Sequence, residues 1–187
     1  MRAPPERDVR QRMPLVDLPA DTVAELEAVG GKPINLYRAL ANNPEMLRAY
    51  LKLSRGLRFD AETPRALREL LIVRAAQVAE SSYEWHHHVR MAREAGVGEE
   101  QLDAVADWRT VSVFSPRERA ALALAEDLVH GSVGDATAAE LERQFSDAER
   151  VELILTGAFY AMVARLLDAM GVPLEDGHRD PSAGAEA

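Results

Sequence analysis

The sequence predicts an all-α protein, a helical bundle, and three observations carry that prediction. Apolar residues recur at helical spacing in window after window, helix start and stop signals punctuate the chain at short intervals, and no window joins sustained alternation to β-branched enrichment. The one candidate for extended structure is a scrap at Val111 to Phe114. A chain of 187 residues can bury one full core. The organisation expected is an extended N-terminal arm over 1–20, a single helical domain over 21–174 and a flexible polar tail over 175–187.

Each element has its own signal. Pro4, Pro5, Pro14 and Pro19 among mixed charges make the first twenty residues an arm that orders on a partner subunit rather than a packed element. Thr22 and Glu25 form a capping-box pair ahead of a short helix stopped by Gly30-Gly31 and Pro33, and a second helix covers 34–42. Pro44 opens a third, with Met46, Leu47, Tyr50, Leu51 and Leu53 at helical spacing and Gly56 at its close. From Pro64 to Ala79 apolar residues cover both sides of the helix, which marks it as central. The next runs from Ser82 to Ala95 and stops at Gly96, and a short helix follows before Trp108. Ser115-Pro116-Arg117-Glu118 combines an N-cap, proline at the first helical position and glutamate three residues on, starting a helix that Gly131 ends after His130. A helix over 136–144 and a long last one, capped by Ser146 and ended after Met170 by Gly171 and Pro173, complete the bundle.

Composition excludes several classes of function. The formal charge of −9 repels phosphate backbones and anionic lipid heads, so nucleic acid and membrane surfaces are not expected partners. No uninterrupted run approaches a membrane span, and the N-terminus lacks the apolar stretch of a secretory leader, which sets a cytoplasmic expectation. With no cysteine, the chain has no disulfide, thiolate nucleophile or thiolate metal ligand.

Chemistry concentrates in Glu80-Ser81-Ser82-Tyr83-Glu84-Trp85-His86-His87-His88, which holds three of the five histidines. On a helix, Trp85, Val89, Ala92 and Gly96 define the inward stripe, Glu84 and His88 lie on its flank, and His86, His87, Arg90, Arg93 and Glu94 fall on the solvated side. Glu84 and His88 are four apart, so their side chains can meet; burial beside Trp85 would raise the carboxyl and couple it to the imidazole as a proton-transfer pair. A plainer reading stands beside this one. Ser81 and Glu84 also fit a capping box, in which Glu84 only ties down a backbone N–H and His88 is a satisfied core histidine. Glu69, with Ile72, Val73 and Ala76 beside it, should be partly buried and needs a partner, and Arg74 on the opposite stripe could pair with Glu152 or Asp168.

These residues carry a resemblance. Glu69-Leu-Leu-Ile-Val-Arg74, Ser81-Ser82-Tyr83-Glu84-Trp85-x-x-His88 and Ala92-Arg93-x-Ala95-Gly96-Val97, continued by Ser115 to Leu122, Phe145 to Glu149 and Phe159 to Arg165, resemble the carboxymuconolactone decarboxylase family, related to alkyl hydroperoxidase D, over roughly 34–174. In the hydroperoxidase branch a glutamate precedes a Cys-x-x-Cys pair followed by a histidine. By position Glu69 matches that glutamate, Ser81 and Glu84 the two cysteines and His88 the histidine, so thiol peroxidase chemistry is not carried over.

The cysteine-less pattern is similar to the decarboxylase-like branch. It implies an alkyl hydroperoxidase D-like bundle assembled as a homo-oligomer, a trimer or hexamer, with no metal or organic cofactor. The activity implied is that of a lyase acting on a small carboxylated or lactone-type molecule by decarboxylation or proton transfer. His88, Glu84 and Glu69 would be catalytic, and Tyr83, Trp85, Ser81 and Arg74 would meet the substrate. Two alternatives remain at this level: a metal held by Glu84, His88 and Glu69, and a non-catalytic binding or scaffold protein of the same fold.

Overall fold

Start and stop signals in the sequence become helix boundaries in a computed structural model that describes residues 1–5, 10–28 and 31–175. In chain order the helices are α1 (Ala20–Glu27), α2 (Asn35–Leu40), α3 (Pro44–Arg55), α4 (Arg65–Val78), α5 (Ser82–Glu94), α6 (Glu99–Ala104), α7 (Pro116–His130), α8 (Asp135–Gln144) and α9 (Asp147–Met170). Among the described residues there is no strand, and 111–114 turns through bends instead of extending. The expected flexible tail lies outside the described residues beyond Glu175, as does Gly30 of the expected first stop.

The chain divides into two compact units, one of 1–7 with 57–165 and one of 8–56 with 166–187. In the first unit α4 packs along α5 and α7, as its all-round apolar sequence requires. Leu70, Val73 and Ala76 of α4 meet Trp85, Val89 and Ala92 of α5, with Val97, Leu102, Val105, Trp108, Phe114 and Leu122 completing the core. The start of α7 is the capping box that its sequence announces: Ser115 Oγ accepts from the Glu118 N–H at 3.3 Å and a Glu118 carboxylate oxygen accepts from the Ser115 N–H at 2.7 Å. Gly131 ends it at φ 99°, the left-handed geometry that a side chain would strain.

Between α4 and α5 the turn is short and strained. Glu80 adopts φ 54°, an uncommon angle for a residue with a Cβ. Its neighbours close the joint, with Ser81 N–H donating to the Ala76 carbonyl at 2.9 Å and Glu80 N–H to that of Gln77 at 3.2 Å. Ser81 then caps α5, its hydroxyl accepting from the Glu84 N–H at 3.4 Å.

In the second unit, α1 starts two residues before the expected Thr22 cap. Pro19 stands at its N-cap, and Thr22 is buried inside the helix with its N–H donated to the Asp21 carboxylate. Gly56 does not stop α3. It holds ordinary helical angles rather than the left-handed ones of a stop, and the chain runs on through a π-helical turn, Gly56–Asp60. Residues 10–19 lie without regular structure against their own chain: Arg12 and Met13 donate backbone N–H groups to the Met170 carbonyl, and Val16 donates to that of Arg38. Gly171 admits this passage, because a Cβ there would stand 2.1 Å from the Arg10 carbonyl oxygen.

Helix α9, 24 residues long, is the one described helix long and apolar enough to cross a membrane by length and composition, with half of its most apolar window buried. Val151, Ile154, Leu155 and Met162 of the same helix are exposed large apolar residues.

Candidate active site

Helices α4 and α5 place a buried hydrogen-bonded pair at their contact. His88 Nδ1 lies 2.8 Å from Glu69 Oε2, and both side chains are 6% exposed. An ionised Glu69 accepts the Nδ1 proton, which fixes the tautomer and leaves Nε2 as the ring nitrogen free for chemistry. Burial works to raise the Glu69 carboxyl, but the His88 charge, its hydrogen bond and the nearby Arg65 and Arg58 outweigh it, so Glu69 sits below the ordinary carboxylate range.

The expected pairing of Glu84 with His88 is thereby corrected. One helical turn brings the two close along α5, yet it is α4, packed alongside, that supplies the acceptor for the ring nitrogen. Nor does Glu84 close a capping box, since Ser81 caps the helix through its own hydroxyl and the Ser81 N–H is committed to Ala76. Buried at the head of α5, Glu84 is pushed well above the usual carboxylate value, first by desolvation and then by the negative charge of Glu69. The site therefore holds two carboxyls driven in opposite directions, an arrangement that separates an acid from a base.

Three arginines and a tyrosine surround the couple. Arg65, one turn before Glu69, approaches it with Nε at 3.4 Å from Oε1. Arg58, in the π-helical turn, lies against α5 with Nη2 at 3.8 Å from the Met91 sulfur. Arg68 is buried and committed to the Thr63 hydroxyl, the Thr63 carbonyl and the Arg58 carbonyl. The Tyr160 ring from α9 meets the His88 ring edge-on, with centroids 4.6 Å apart at 80°. Arg65 was legible as an i, i+4 partner of Glu69, whereas nothing in the local sequence points to Arg58 or Tyr160.

The remaining candidate residues lie in the core or in other polar contacts. Trp85 fills the core, and Tyr83 stacks on His87 at 4.7 Å. His87 is buried, contrary to the solvated position expected, because the inward face of α5 is broad enough to take Tyr83, Glu84, His87 and His88 together with Trp85. His86 turns its Nδ1 to the Ser82 carbonyl at 2.6 Å. Arg74 pairs with Glu126 of α7, with Nε at 2.9 Å, rather than with Glu152 or Asp168. Glu126 also accepts from Trp108 Nε1 at 2.7 Å and from Arg109, while Glu152 accepts the N–H groups of Glu62 and Thr63. Arg74 thus joins α4 to α7, away from the couple. Among the described residues no group of three or more His, Asp and Glu side chains is arranged to hold a metal ion.

A family model, that of the carboxymuconolactone decarboxylase family, matches the stretch that carries Glu69, Ser81, Glu84 and His88. The match spans residues 44–127. The family match is narrower than the resemblance drawn from motifs, which reached from 34 to 174. Solved structures extend the likeness to the rest of the fold. The alkylhydroperoxidase AhpD core protein of Ralstonia eutropha JMP134, an uncharacterized peroxidase-related protein, superposes with TM-score 0.75 at 23% identity, covering 92% of this chain and 96% of that one. An uncharacterized peroxidase-related protein from Silicibacter sp. TM1040 does so with TM-score 0.75 at 20% identity, over 93% and 95%. The ligand-free debrominase Bmp8 has the same TM-score at 22% identity, over 88% of this chain and 94% of its own. At these identities the shared property is the all-α, AhpD-like fold. A search of curated proteins finds no match.

Proposed function

We propose that this protein, similar over residues 44–127 to the carboxymuconolactone decarboxylase family, is a cytoplasmic, cofactor-free lyase that works by acid/base catalysis on a small carboxylated or lactone-type molecule. One observation carries the reading: Glu84, buried and held toward its neutral form, stands near a buried Glu69–His88 bond whose free ring nitrogen is Nε2. In a decarboxylation the carbon–carboxylate bond breaks, carbon dioxide leaves, and the electron pair passes into an enolate. The Glu84 carboxyl donates a hydrogen bond to the developing enolate oxygen. Protonated His88 then returns a proton from Nε2 to the carbanion carbon, while Glu69 stabilises the charged ring; solvent reprotonates His88, so one proton is consumed for each carbon dioxide released. Thiol peroxidase chemistry has no place in the reading, because the sequence contains no cysteine.

The reading includes assembly into a homo-oligomer, a trimer or hexamer. Its support is the exposed apolar stripe of Val151, Ile154, Leu155 and Met162 on α9, a surface that water solvates poorly.

The test begins with a thermal-shift screen of small lactones and keto acids, followed by turnover of each hit across pH. Glu84→Gln and His88→Ala are expected to abolish turnover while the far-ultraviolet circular dichroism stays helical. Turnover that survives both substitutions overturns the proposal.

A further inference from the structure

The acid/base reading leaves two cations beside the couple without an assigned task. Arg58 offers five N–H donors, and its hydrogen-bond acceptor among the described residues is the Met91 thioether, a weak one. No carboxylate lies within ion-pair distance of it among those residues. Arg65 meets Glu69 through Nε at 3.4 Å, and its side chain is 44% exposed. Arg68, the third cation, is fully committed and buried.

Position gives the two arginines a common target. Arg65 stands one turn before Glu69 on α4, and Arg58 lies against Met91, one turn after His88 on α5, so the pair brackets the couple from both helices. Glu69 already has His88 as its partner, and its single charge does not balance the two guanidinium groups. Arg58 is presented by a π-helical turn, an energetically unfavourable device that recurs at functional sites. In a protein of net charge −9, such an excess of positive charge beside a buried acid calls for an external anion.

We infer that Arg58 and Arg65 form a carboxylate-binding site at the edge of the Glu69–His88 couple, so that the molecule taken here is a small organic anion. The guanidinium fork matches the two oxygens of a carboxylate, and a group held there stays ionised and bound while the reacting carbon lies over His88 Nε2. The bound carboxylate is distinct from the one lost, because a leaving carboxylate gains nothing from an arginine that stabilises its charge. The inference rests on the acid/base reading for the identity of the reacting carbon, but not for the binding itself.

The test is therefore a binding measurement without turnover. Calorimetric titration of the full chain with levulinate, with its uncharged methyl ester and with inorganic phosphate compares a carboxylate, its neutral twin and a tetrahedral anion. Levulinate is expected to bind saturably, to weaken with salt, and to shift the Arg58 and Arg65 Nε–H resonances in the nuclear magnetic resonance spectrum of the unsubstituted protein. Arg58→Gln and Arg65→Gln should each weaken it by about tenfold, with Arg65→Lys intermediate. Glu84→Gln should leave this binding in place, which separates failure of the anion site from failure of the catalytic reading. Equal binding of acid and ester, no saturable binding of levulinate, unaltered affinity in both glutamine variants, or phosphate bound more tightly than levulinate overturns the inference.

Discussion

Replacing His88 by alanine removes one end of the 2.8 Å bond to Glu69 and leaves a carboxylate in a place where 6% of its side chain meets solvent. Breaking a buried pair from one side costs about 3–5 kcal/mol, mostly for the charge left behind. Loss of the edge contact with Tyr160 adds about 0.5–1 kcal/mol. Arg65 works the other way, but a long contact from a half-exposed side chain returns no more than about 1 kcal/mol. The net expectation is a loss of about 3–5 kcal/mol, or roughly 6–20 °C in Tm for a chain of this size. Glu69→Ala removes the other end of the same bond. Urea denaturation of the two single variants and the double closes a mutant cycle, in which a coupling of about 2 kcal/mol or more is expected. Additivity within about 0.5 kcal/mol would refute the reasoning, since it would mean that neither group depends on the other.

Glu84→Gln should change the pH dependence of stability. The folded carboxyl lies above its unfolded value, so its contribution is fully present below the unfolded value and is lost as pH rises through the folded one; the glutamine variant lacks that decline, whereas the acid limb, owed to the lowered Glu69, persists. Thermal melts across pH read both limbs. Glu126→Gln strips the charge from the acceptor shared by Arg74, Arg109 and Trp108 and should cost about 2–3 kcal/mol by urea denaturation. On α9, Leu155→Arg sets a charge in the exposed apolar stripe and should lower the assembly mass measured by light scattering, with helicity retained.

Much of the fold was legible because its signals are local. Ser115-Pro116-Arg117-Glu118 begins a helix wherever it is placed, and the left-handed turn at Gly131 ends one. The helix over Arg65–Val78 was recognisable as central from its composition alone. Local rules failed where the neighbour is distant in the chain. The helical wheel placed Glu84 beside His88 but could not show that Glu69, on the facing helix, would take the ring nitrogen first. It assigned His87 to solvent because it treats α5 as having one narrow inward stripe, whereas the packed helix buries a broad face. Arg74 found its acid on α7, Tyr160 arrives from α9, and Arg58 depends on a turn that the glycine before it was expected to end.

The strained joint at Glu80 folds α4 back along α5 and so sets Glu69 opposite His88. Nineteen residues separate Glu69 from His88, so their bond is local in the chain and needs only the hairpin of α4 and α5, whereas Tyr160 comes from a helix far along the sequence. A stretch of about thirty residues therefore holds both the Glu69–His88 bond and the raised Glu84 carboxyl. Substitutions confined to that interval change the centre while leaving the distant walls of the bundle in place.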